Sequence, residues 1–418
     1  MKKNITLLAL ILVTSWGFAQ EELVTVDSLL LRGRYQEVLS LLKDAPDSFK
    51  KFSTMGNVYY QIDKTQLAID YYVKALDQEE DYKTQVQLGK AYQKVRAYDE
   101  AILVFENILE KDPKNLLIKF QLGKLYLKKR KANKAIKTFD ELIAADQTNP
   151  NYAYQKGIAY AMKKDRNAMI DSFLEAYETD SVHVKSLYQL ANSFFKLKDK
   201  DSTNLFLKKG LELDPNHINM NRLQVNQTFR EKRYEETLKT LERLDSITPK
   251  EIFVLNMFGR TYYNMENYEK SKEYFTESKD RDSNDFKTWT YLGHNEMKLG
   301  NYKMAELNYM MATAIGKDKR DEEYYGLGHA YLKQEKPLQA IAMFDKAYKE
   351  DRGNYKALYQ KAKTTDDYYK EKKKAYRLYL QYELQFENMD KDLTAYAQRR
   401  IKEIKKEYFL KGEELKDY

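Results

Sequence analysis

The chain has 418 residues and a formal net charge of +8, from 72 Lys and Arg against 64 Asp and Glu. An excess this mild, without a basic tail or an aromatic RNA-binding motif, argues against a nucleic-acid partner. The chain contains no cysteine, so it has no thiol nucleophile and does not need oxidative folding. With six prolines and fifteen glycines, it also has too few of these residues to form a proline- or glycine-rich linker between domains.

Residues 1–19 predict an export signal. Lys2 and Lys3 form a short basic region, residues 5–13 are apolar, and Gly17-Phe18-Ala19 has the small-x-small pattern of a cleavage site. The segment resembles a bacterial signal peptide of the Sec type, cut after Ala19. An uncleaved N-terminal anchor is the alternative, although the apolar run is short for a membrane span. We therefore expect an exported protein, periplasmic or extracellular. It is not expected to be a lipoprotein, because no cysteine follows the cleavage site, and no later segment is apolar enough for membrane insertion.

Residues 82–115 show the pattern of the chain most clearly, as two amphipathic helical halves. In the first half, Leu88, Gly89 and Tyr92 lie about one helical turn apart. The second half carries the stripe Tyr98, Ala101, Phe105 and Ile108, and the unit ends at Asp112-Pro113. A degenerate helical unit at residues 20–48 precedes the regular ones, with the stripe Tyr35, Val38 and Leu42.

A glycine recurs inside the first predicted helix of most units. The series is Gly56, Gly89, Gly123, Gly157, Gly259, Gly293 and Gly328, with Ala191 and Val225 filling its two gaps. The successive steps are 33, 34, 34, 34, 34, 34, 34 and 35 residues. Because glycine inside a helix costs roughly 1 kcal/mol relative to alanine, its recurrence predicts a helix crossing too close to admit a Cβ.

A period of 34 residues with two helices in each unit resembles the tetratricopeptide repeat family. The family hallmarks appear in one unit as Trp289, Leu292, Gly293, Tyr302, Ala305, Tyr309 and Ala312. They appear in the next as Leu327, Gly328, Tyr331, Ala340, Phe344 and Ala347. The resemblance implies an all-α, right-handed superhelical solenoid of about ten 34-residue helix-turn-helix repeats over residues 49–389, with a C-terminal capping helix at residues 390–418.

Departures from the repeat pattern cluster in the middle of the chain. Thr203 and Gly210 replace the two small alanines, and Val225 replaces the glycine. In a nearly one-dimensional repeat protein stability is local. The sequence therefore predicts a weak segment at residues 198–230.

No catalytic constellation is found, so no enzymatic activity and no cofactor are expected. The chain has no Gly-x-Ser-x-Gly elbow and no phosphate-binding loop with its lysine. Gly326 and Gly328 resemble a fragment of a dinucleotide-binding fingerprint, but they fall inside a predicted helix at the repeat's crossing point.

Paired carboxylates and two histidines are further candidate sites. The pairs Asp366-Asp367 and Glu322-Glu323 are interpreted as solvated faces, as is common in a chain with 33% charged residues. His294 and His329 follow the recurring glycine on the same face of consecutive units. Zinc normally takes three or four ligands, and no third His or Cys is near in sequence, so a metal site is not expected.

In the tetratricopeptide repeat family, ligands usually lie in a concave groove lined by the first helix of each repeat. The resemblance assigns five groove positions to each of ten windows, and of these fifty residues sixteen are Lys or Arg while three are acidic. Aromatic residues are interleaved, and Asn192 and Asn226 suit bidentate bonds to an extended backbone. The predicted groove residues are Lys90, Lys94, Phe120, Lys124, Lys128, Tyr154, Ile158, Tyr188, Asn192, Phe195, Lys196, Arg222, Asn226, Arg230, Arg260 and Lys298.

These observations favour a non-enzymatic adaptor of the bacterial cell envelope. Its basic, aromatic-lined groove is expected to bind an acidic, extended segment of another polypeptide. A plainer interpretation of the same charges is that they only keep the array soluble. The alternative function is a structural subunit of an envelope or secretion complex that docks by its convex surface, and an enzyme ranks third.

Overall fold

The computed structural model describes residues 26–316, 319–413 and 415, and the predicted signal peptide lies outside them. The described chain is helical almost throughout and contains no β-strand. The prediction of an all-α repeat fold is thereby confirmed. The chain divides into two compact units, Met1–Leu213 and Asp214–Tyr418.

In the first unit, helical residues 26–31 precede eleven helices. These are α1 (Tyr35–Lys43), α2 (Phe49–Gln61), α3 (Thr65–Gln78), α4 (Tyr82–Lys94), α5 (Tyr98–Lys111), α6 (Leu116–Lys128), α7 (Ala132–Ala145), α8 (Pro150–Lys163), α9 (Arg166–Thr179), α10 (Val184–Leu197) and α11 (Lys200–Leu213). From α2 to α11, each helix packs against the next one.

The second unit repeats the arrangement. Its helices are α12 (Ile218–Arg230), α13 (Tyr234–Ile247), α14 (Ile252–Asn264), α15 (Tyr268–Arg281), α16 (Phe286–Lys298), α17 (Tyr302–Ile315), α18 (Asp321–Lys333), α19 (Pro337–Glu350), α20 (Tyr355–Tyr368), α21 (Lys373–Phe386) and α22 (Lys391–Leu410). From α2 onward, the even-numbered helices up to α20 are the first helices of the repeats and the odd-numbered ones are the second. No described helix has the length and apolar character needed to cross a membrane.

Many first helices begin at an Asp or Asn that caps the exposed backbone amides. Asp81 Oδ2 accepts from the Thr84 amide at 2.7 Å, and Asn115 Oδ1 accepts from the Ile118 amide at 3.2 Å. Asn354 Oδ1 caps α20 in the same way, at 3.0 Å from the Ala357 amide. Such caps stabilise a helix by about 1 kcal/mol each, so the polar residue between repeats fixes where the next helix starts.

The recurring glycines lie where a second helix presses an aromatic ring against the first. A Cβ built on Gly123 would lie 2.8 Å from the ring of Phe139, and one on Gly89 would lie 2.3 Å from Phe105. The same overlap occurs at every glycine of the series, in each case with the residue sixteen positions later. The expectation of a crossing too tight for a Cβ is therefore met.

Where the glycine is absent, the aromatic residue is absent too. Ala191 is followed sixteen residues later by Leu207, and Val225 by Leu241, and all four side chains are buried. A larger residue on the first helix is thus matched by a smaller one on the second, which keeps the crossing filled.

In the nine repeats from α2 to α19, the turn from the first to the second helix passes through a left-handed residue. Its φ lies between +56° and +62° at Asp63, Arg96, Arg130, Lys164, Lys198, Lys232, Glu266 and Glu335, and at Gly300 it is +79°. Only one of these nine positions is glycine, although L-residues are strained in this region.

A buried ion cluster joins α20 to α22. Asp366 is 2% exposed and accepts two hydrogen bonds from Arg400, with Nε at 2.8 Å and Nη2 at 3.0 Å. The Lys372 ammonium lies 3.4 Å from the same carboxylate. The interpretation of Asp366-Asp367 as a solvated pair is therefore wrong for Asp366, because Arg400 reaches it from the last helix.

Candidate functional site

The predicted groove residues of the first unit lie on four first helices. Lys90 and Lys94 are on α4, Phe120, Lys124 and Lys128 on α6, Tyr154 and Ile158 on α8, and Tyr188, Asn192, Phe195 and Lys196 on α10. Lys90, Lys128 and Lys196 are exposed, while the aromatic residues, Ile158 and Asn192 are half-buried. We call this set the first-unit face.

The apolar part of the first-unit face is held by the core beneath it. The Phe120 ring lies 5.5 Å from Tyr152 and 6.2 Å from Phe139, measured between ring centroids. Tyr154 contacts Phe173 at 5.7 Å. Rings anchored in this way offer a preformed apolar surface, because little side-chain entropy remains to be lost on binding.

Lys124 is the distinctive charge of this face. It is half-buried, and its ammonium lies 5.0 Å from the centroid of the Phe120 ring. Burial lowers the pKa of Lys124, because a partly desolvated ammonium is less stable than a hydrated one. Among the residues that the structure describes, no carboxylate forms an ion pair with it. Lys124 is therefore a desolvated cation that an incoming anion can neutralise.

Lys94 differs from Lys124 because the chain itself supplies its counter-charge. Its ammonium lies 2.6 Å from Asp63 and 4.7 Å from the centroid of the Tyr60 ring. The hydrogen bond to Asp63 raises the pKa of Lys94. This lysine is already partnered, so it contributes less free positive charge to the face than its sequence position suggests.

In the second unit, two of the predicted basic residues are also engaged. Arg222 on α12 pairs with Glu251 and stacks 5.5 Å from the centroid of the Phe253 ring. The hydrogen bond from Arg222 lowers the pKa of Glu251. Arg230 donates to the side-chain oxygen of Gln227. The Lys298 ammonium lies 5.7 Å from the Tyr268 ring centroid and is exposed.

Arg260 and Asn226 line a cavity of about 580 Å³ in the second unit. The cavity is surrounded by residues from five helices, α12, α14, α15, α16 and α18, and from the segment before α18. They are Asn226, Phe253, Asn256, Met257, Arg260, Phe275, Asp285, Phe286, Lys287, Thr288, Thr290, Tyr291, His294, Lys319, Asp321, Glu322 and Glu323. We call this the second-unit cavity, and it brings together carboxylates, basic groups and aromatic rings.

A polar network stiffens one wall of the second-unit cavity. Asn256 Oδ1 accepts from the Ser278 hydroxyl at 2.7 Å and lies 3.3 Å from the Thr288 hydroxyl. That hydroxyl is 2.8 Å from Asp285 Oδ2, and Asp285 also caps α16. These groups are held in place before any ligand arrives.

The acidic pair at the start of α18 is divided between solvent and core. Glu322 is exposed and lies 3.1 Å from His294 Nε2, whose Nδ1 is 2.6 Å from the Tyr309 hydroxyl. The hydrogen bond from His294 lowers the pKa of Glu322. Glu323 is 3% exposed, with the Thr290 hydroxyl 2.7 Å from its Oε1. The solvated interpretation of Glu322-Glu323 is thus wrong for Glu323.

Of the four carboxylates that line the cavity, Glu322 alone occupies one of the fifty predicted groove positions. Asp285 and Glu323 fall outside the five positions counted in each repeat, since they lie at the start of α16 and α18 rather than along their predicted groove stripe. The signal in the sequence was the run Asp321-Glu322-Glu323 one repeat after Asp285, at helix starts that the fold places around a common space.

The two candidate metal ligands, His294 and His329, lie in other surroundings. His329 packs against Tyr325 at 4.6 Å and Phe344 at 5.2 Å between ring centroids, and burial lowers its pKa. His294 bonds to Tyr309 and Glu322, as described above. Over residues 26–316, 319–413 and 415, no group of three or more His, Asp or Glu side chains is arranged to hold a metal ion.

Comparisons with solved structures return chains of similar helical architecture. One is the APC/C hetero-tetramer Cut9-Hcn1, with a TM-score of 0.44 and 13% identity over 82% of this chain and 83% of that chain. Another is MamA residues 41-end from Desulfovibrio magneticus RS-1, with a TM-score of 0.38 and 20% identity over 41% and 98%. A third is YrrB, described as a TPR protein with an unusual peptide-binding site, with a TM-score of 0.40 and 19% identity over 46% and 98%.

Family models match several stretches of the sequence. One tetratricopeptide repeat model matches residues 93–156, and a second matches residues 184–217, 254–285 and 324–354. No curated protein gives a match. The matched stretches lie in both compact units and coincide with helix pairs that carry the glycine–aromatic crossing or its leucine substitute. These stretches of the sequence are therefore similar to tetratricopeptide repeats.

Proposed function

We propose that this protein is a non-enzymatic adaptor that holds an acidic, extended segment of another polypeptide on its first-unit face. Tetratricopeptide repeats typically mediate contacts between proteins and are generally not catalytic, and this chain carries such repeats in both units.

The observation that carries the proposal is Lys124. Its half-buried ammonium has a lowered pKa and no described ion-pair partner, so the folded chain bears an uncompensated cost that a ligand carboxylate can offset. A hydrogen bond to a charged group is worth about 1.5–3 kcal/mol. Lys90 and Lys128 lie exposed one repeat earlier and one turn later, where they attract the same ligand from a longer distance.

Apolar contacts are expected to supply the anchor. Phe120 and Tyr154 are half-buried rings on neighbouring first helices, and Ile158 packs against the same core cluster as Phe120. Aromatic residues in such positions often carry most of the binding energy, while exposed charges mainly set the association rate. The proposed partner segment therefore combines acidic and apolar residues.

The test uses a fluorescein-labelled peptide of alternating Glu and Leu, with a Gln and Leu peptide as its neutral control. Lys124→Met should weaken binding of the acidic peptide about tenfold and leave the neutral one unchanged. Lys137→Met, which removes an exposed lysine from a second helix, is the matched control and should have little effect. Phe120→Ala should instead speed dissociation.

Equal affinity of the Lys124→Met variant and the unaltered chain for the acidic peptide would overturn the proposal. In that case the alternative takes precedence, a structural subunit of an envelope or secretion complex that docks by its convex surface. We assign that surface to the second helices. One of these, α17, exposes Met304, Leu307 and Met310, each at about half of its surface.

The proposed place of action is outside the cytoplasm, in the bacterial envelope or beyond it. Support comes from the sequence of residues 1–19 alone, because the structure does not describe that segment. The mature protein is expected to begin at Gln20. An intact mass that includes residues 1–19, measured on protein from the native envelope, would contradict export with cleavage.

A further inference from the structure

The second-unit cavity contains a buried carboxylate that lacks a counter-ion. Glu323 lines the cavity and is 3% exposed. Its described hydrogen-bond partner is the Thr290 hydroxyl, 2.7 Å from Oε1. In the part of the chain that the structure describes, no Lys, Arg or His side chain forms an ion pair with Glu323. A buried carboxylate in this situation is costly until a cation joins it.

The walls of the cavity suit a flat or elongated cation. Phe253, Phe275, Phe286 and Tyr291 all line it. Phe275 and Tyr291 stack on each other with centroids 4.7 Å apart and an interplanar angle of 7°, so the rings are fixed by packing. Aromatic faces attract cations, and a guanidinium adds planar stacking to that attraction.

The other charges of the cavity favour a cation slightly. Its lining has four carboxylates, from Asp285, Asp321, Glu322 and Glu323, against three Lys or Arg side chains, from Arg260, Lys287 and Lys319. His294 also lines the cavity and bonds to Glu322. Lys319 is engaged by Asp351, at 3.4 Å. The Arg260 guanidinium stacks 4.9 Å from the Phe229 ring centroid. The Arg260 and Lys287 side chains can meet carbonyl or carboxylate oxygens of the same ligand.

We propose that the second-unit cavity binds a cationic side chain, preferably arginine, of a bound polypeptide. Glu323 takes the guanidinium at the buried end, the aromatic walls stack on it, and Asp285 and Glu322 add negative potential at the opening. The inference rests on the proposed function in that it assumes a polypeptide ligand. It assigns this cavity a chemistry opposite to that of the first-unit face.

The test measures binding of N-acetyl-arginine amide to the full chain by titration calorimetry. N-acetyl-citrulline amide, which has nearly the same shape without the charge, is the matched probe. The arginine compound should bind about tenfold more tightly than the citrulline one. Equal affinity for the two compounds, or no detectable binding of either at millimolar concentration, overturns the inference.

The variant Glu323→Gln tests whether Glu323 causes the preference for the arginine compound over the citrulline compound. An amide oxygen can still accept from Thr290, so the fold should survive, and the preference for arginine over citrulline should fall to about unity. Glu273→Gln, which alters an exposed glutamate of α15 outside the cavity, should keep the full preference. If Glu323→Gln does not fold, Glu322→Gln should still reduce the preference, and an unchanged preference there would count against the inference.

Two further arms separate a polypeptide ligand from a small cation. A blocked Ala-Ala-Arg-Ala-Ala peptide should bind more tightly than N-acetyl-arginine amide, because backbone contacts add to the side-chain contact. Tighter binding of free arginine than of the peptide would overturn a polypeptide occupant. The two proposals can fail separately. If the arginine and citrulline compounds bind equally while Lys124→Met still weakens binding of the acidic Glu and Leu peptide, this inference is overturned and the proposed function stands.

Discussion

Basic residues on the first helices meet different surroundings, and these surroundings decide what each can contribute. Lys94 is paired with Asp63, and Arg222 with Glu251. Lys124 is half-buried against Phe120 and lacks a described counter-ion. Reversing the charge of Arg222 would therefore break an internal pair as well as any ligand contact. Lys124 gives the cleaner test, because its removal disturbs no described ion pair.

At the residue scale, the left-handed turns allow a stability prediction. Lys164 ends α8 with φ +60° and ψ +21°, a conformation that costs a non-glycine residue about 1–2 kcal/mol. Lys164→Gly removes that strain, although glycine's greater freedom in the unfolded chain offsets part of the gain. We expect a net stabilisation of about 0.5–1 kcal/mol, read from slower hydrogen exchange of α8 and α9 amides.

The neighbouring lysine supplies the control for this substitution. Lys163 is also exposed but is the last helical residue of α8, so Lys163→Gly should destabilise the same helices, by up to about 1 kcal/mol. If both variants accelerate exchange, the strain at position 164 does not limit stability and the prediction fails.

At the scale of the helix pair, the glycine–aromatic crossing should behave as one coupled unit. A Cβ at position 123 would lie 2.8 Å from the fully buried Phe139 ring, so Gly123→Ala should destabilise by about 1–3 kcal/mol. The pair Ala191 and Leu207 shows that the same crossing accepts a larger residue when its partner is smaller. Gly123→Ala combined with Phe139→Leu should therefore cost less than the two single changes added together.

A double-mutant cycle measured by urea unfolding tests this coupling. The coupling should exceed about 0.5 kcal/mol, which is the usual scatter for independent sites. As a control, Gly123→Ala combined with Phe173→Leu, which alters the ring of the next repeat, should be nearly additive. Additivity in both combinations would mean that Phe139 moves aside at little cost.

The ion cluster between α20 and α22 predicts a pH dependence. Burial alone would raise the pKa of Asp366, but the hydrogen bonds and charges of Arg400 and Lys372 outweigh it and lower that pKa. A lowered carboxyl pKa means that the stabilisation is present above the unfolded value, about 3.9. It is lost as the pH falls from there through the lower folded pKa.

Asp366→Asn should therefore destabilise the C-terminal helices by about 3 kcal/mol at neutral pH, since Arg400 loses its counter-ion. The loss should shrink as the pH falls below about 4, where the unaltered protein also loses the pair. Asp367→Asn, at an exposed neighbour paired only with Lys363 in the described chain, should change stability little at any pH. Hydrogen exchange of the α22 amides at several pH values distinguishes the two variants.

The sequence was sufficient to predict the helix pairs because their signal is periodic. Gly89 and Phe105 recur with their neighbours at nearly constant spacing. The predicted reason for the glycine, a helix crossing too close for a Cβ, is confirmed. Contacts between distant repeats carry no such signal. Asp366 and Arg400 are 34 residues apart without belonging to a repeated motif, and the burial of Glu323 depends on how α16 and α18 pack.

The left-handed turns were missed for a different reason. Glycine is the usual marker of that conformation, but here Lys, Arg, Asp or Glu occupies all but one of the nine turn positions. The groove residues likewise could be predicted from their positions in the repeat, but whether each basic side chain already has an ion-pair partner could not. A single sequence does not tell that Lys94 has Asp63 beside it while Lys124 has no described partner.

At the scale of the whole molecule, the two units offer unlike chemistry. The first provides the Lys124 cation beside apolar rings, and the second provides the Glu323 carboxylate inside an aromatic cavity. A polypeptide that uses both must carry acidic as well as basic residues. Its binding should weaken with added salt, mainly through the exposed charges, because buried pairs are screened less.

The segment at residues 198–230 spans the end of one unit and the start of the other, and it should be the least protected part of the array. Helix α12 buries Asn221, Gln227 and Thr228 among its core residues, and Asn221 Oδ1 is buried without a described hydrogen-bond partner. Less apolar area is therefore removed from water here than at the glycine–aromatic crossings, and an unsatisfied carbonyl adds a further cost.

We expect amides of residues 198–230 to exchange at least about tenfold faster than those of α4 to α7, which corresponds to about 1.4 kcal/mol of local stability. Hydrogen exchange followed by mass spectrometry on the full chain gives both rates in one experiment, so the intact crossings at Gly89 and Gly123 serve as the internal control. Equal protection across these segments would show that the leucine partners Leu207 and Leu241 restore the packing fully. The departures of Thr203, Gly210 and Val225 from the repeat pattern would then have no energetic consequence.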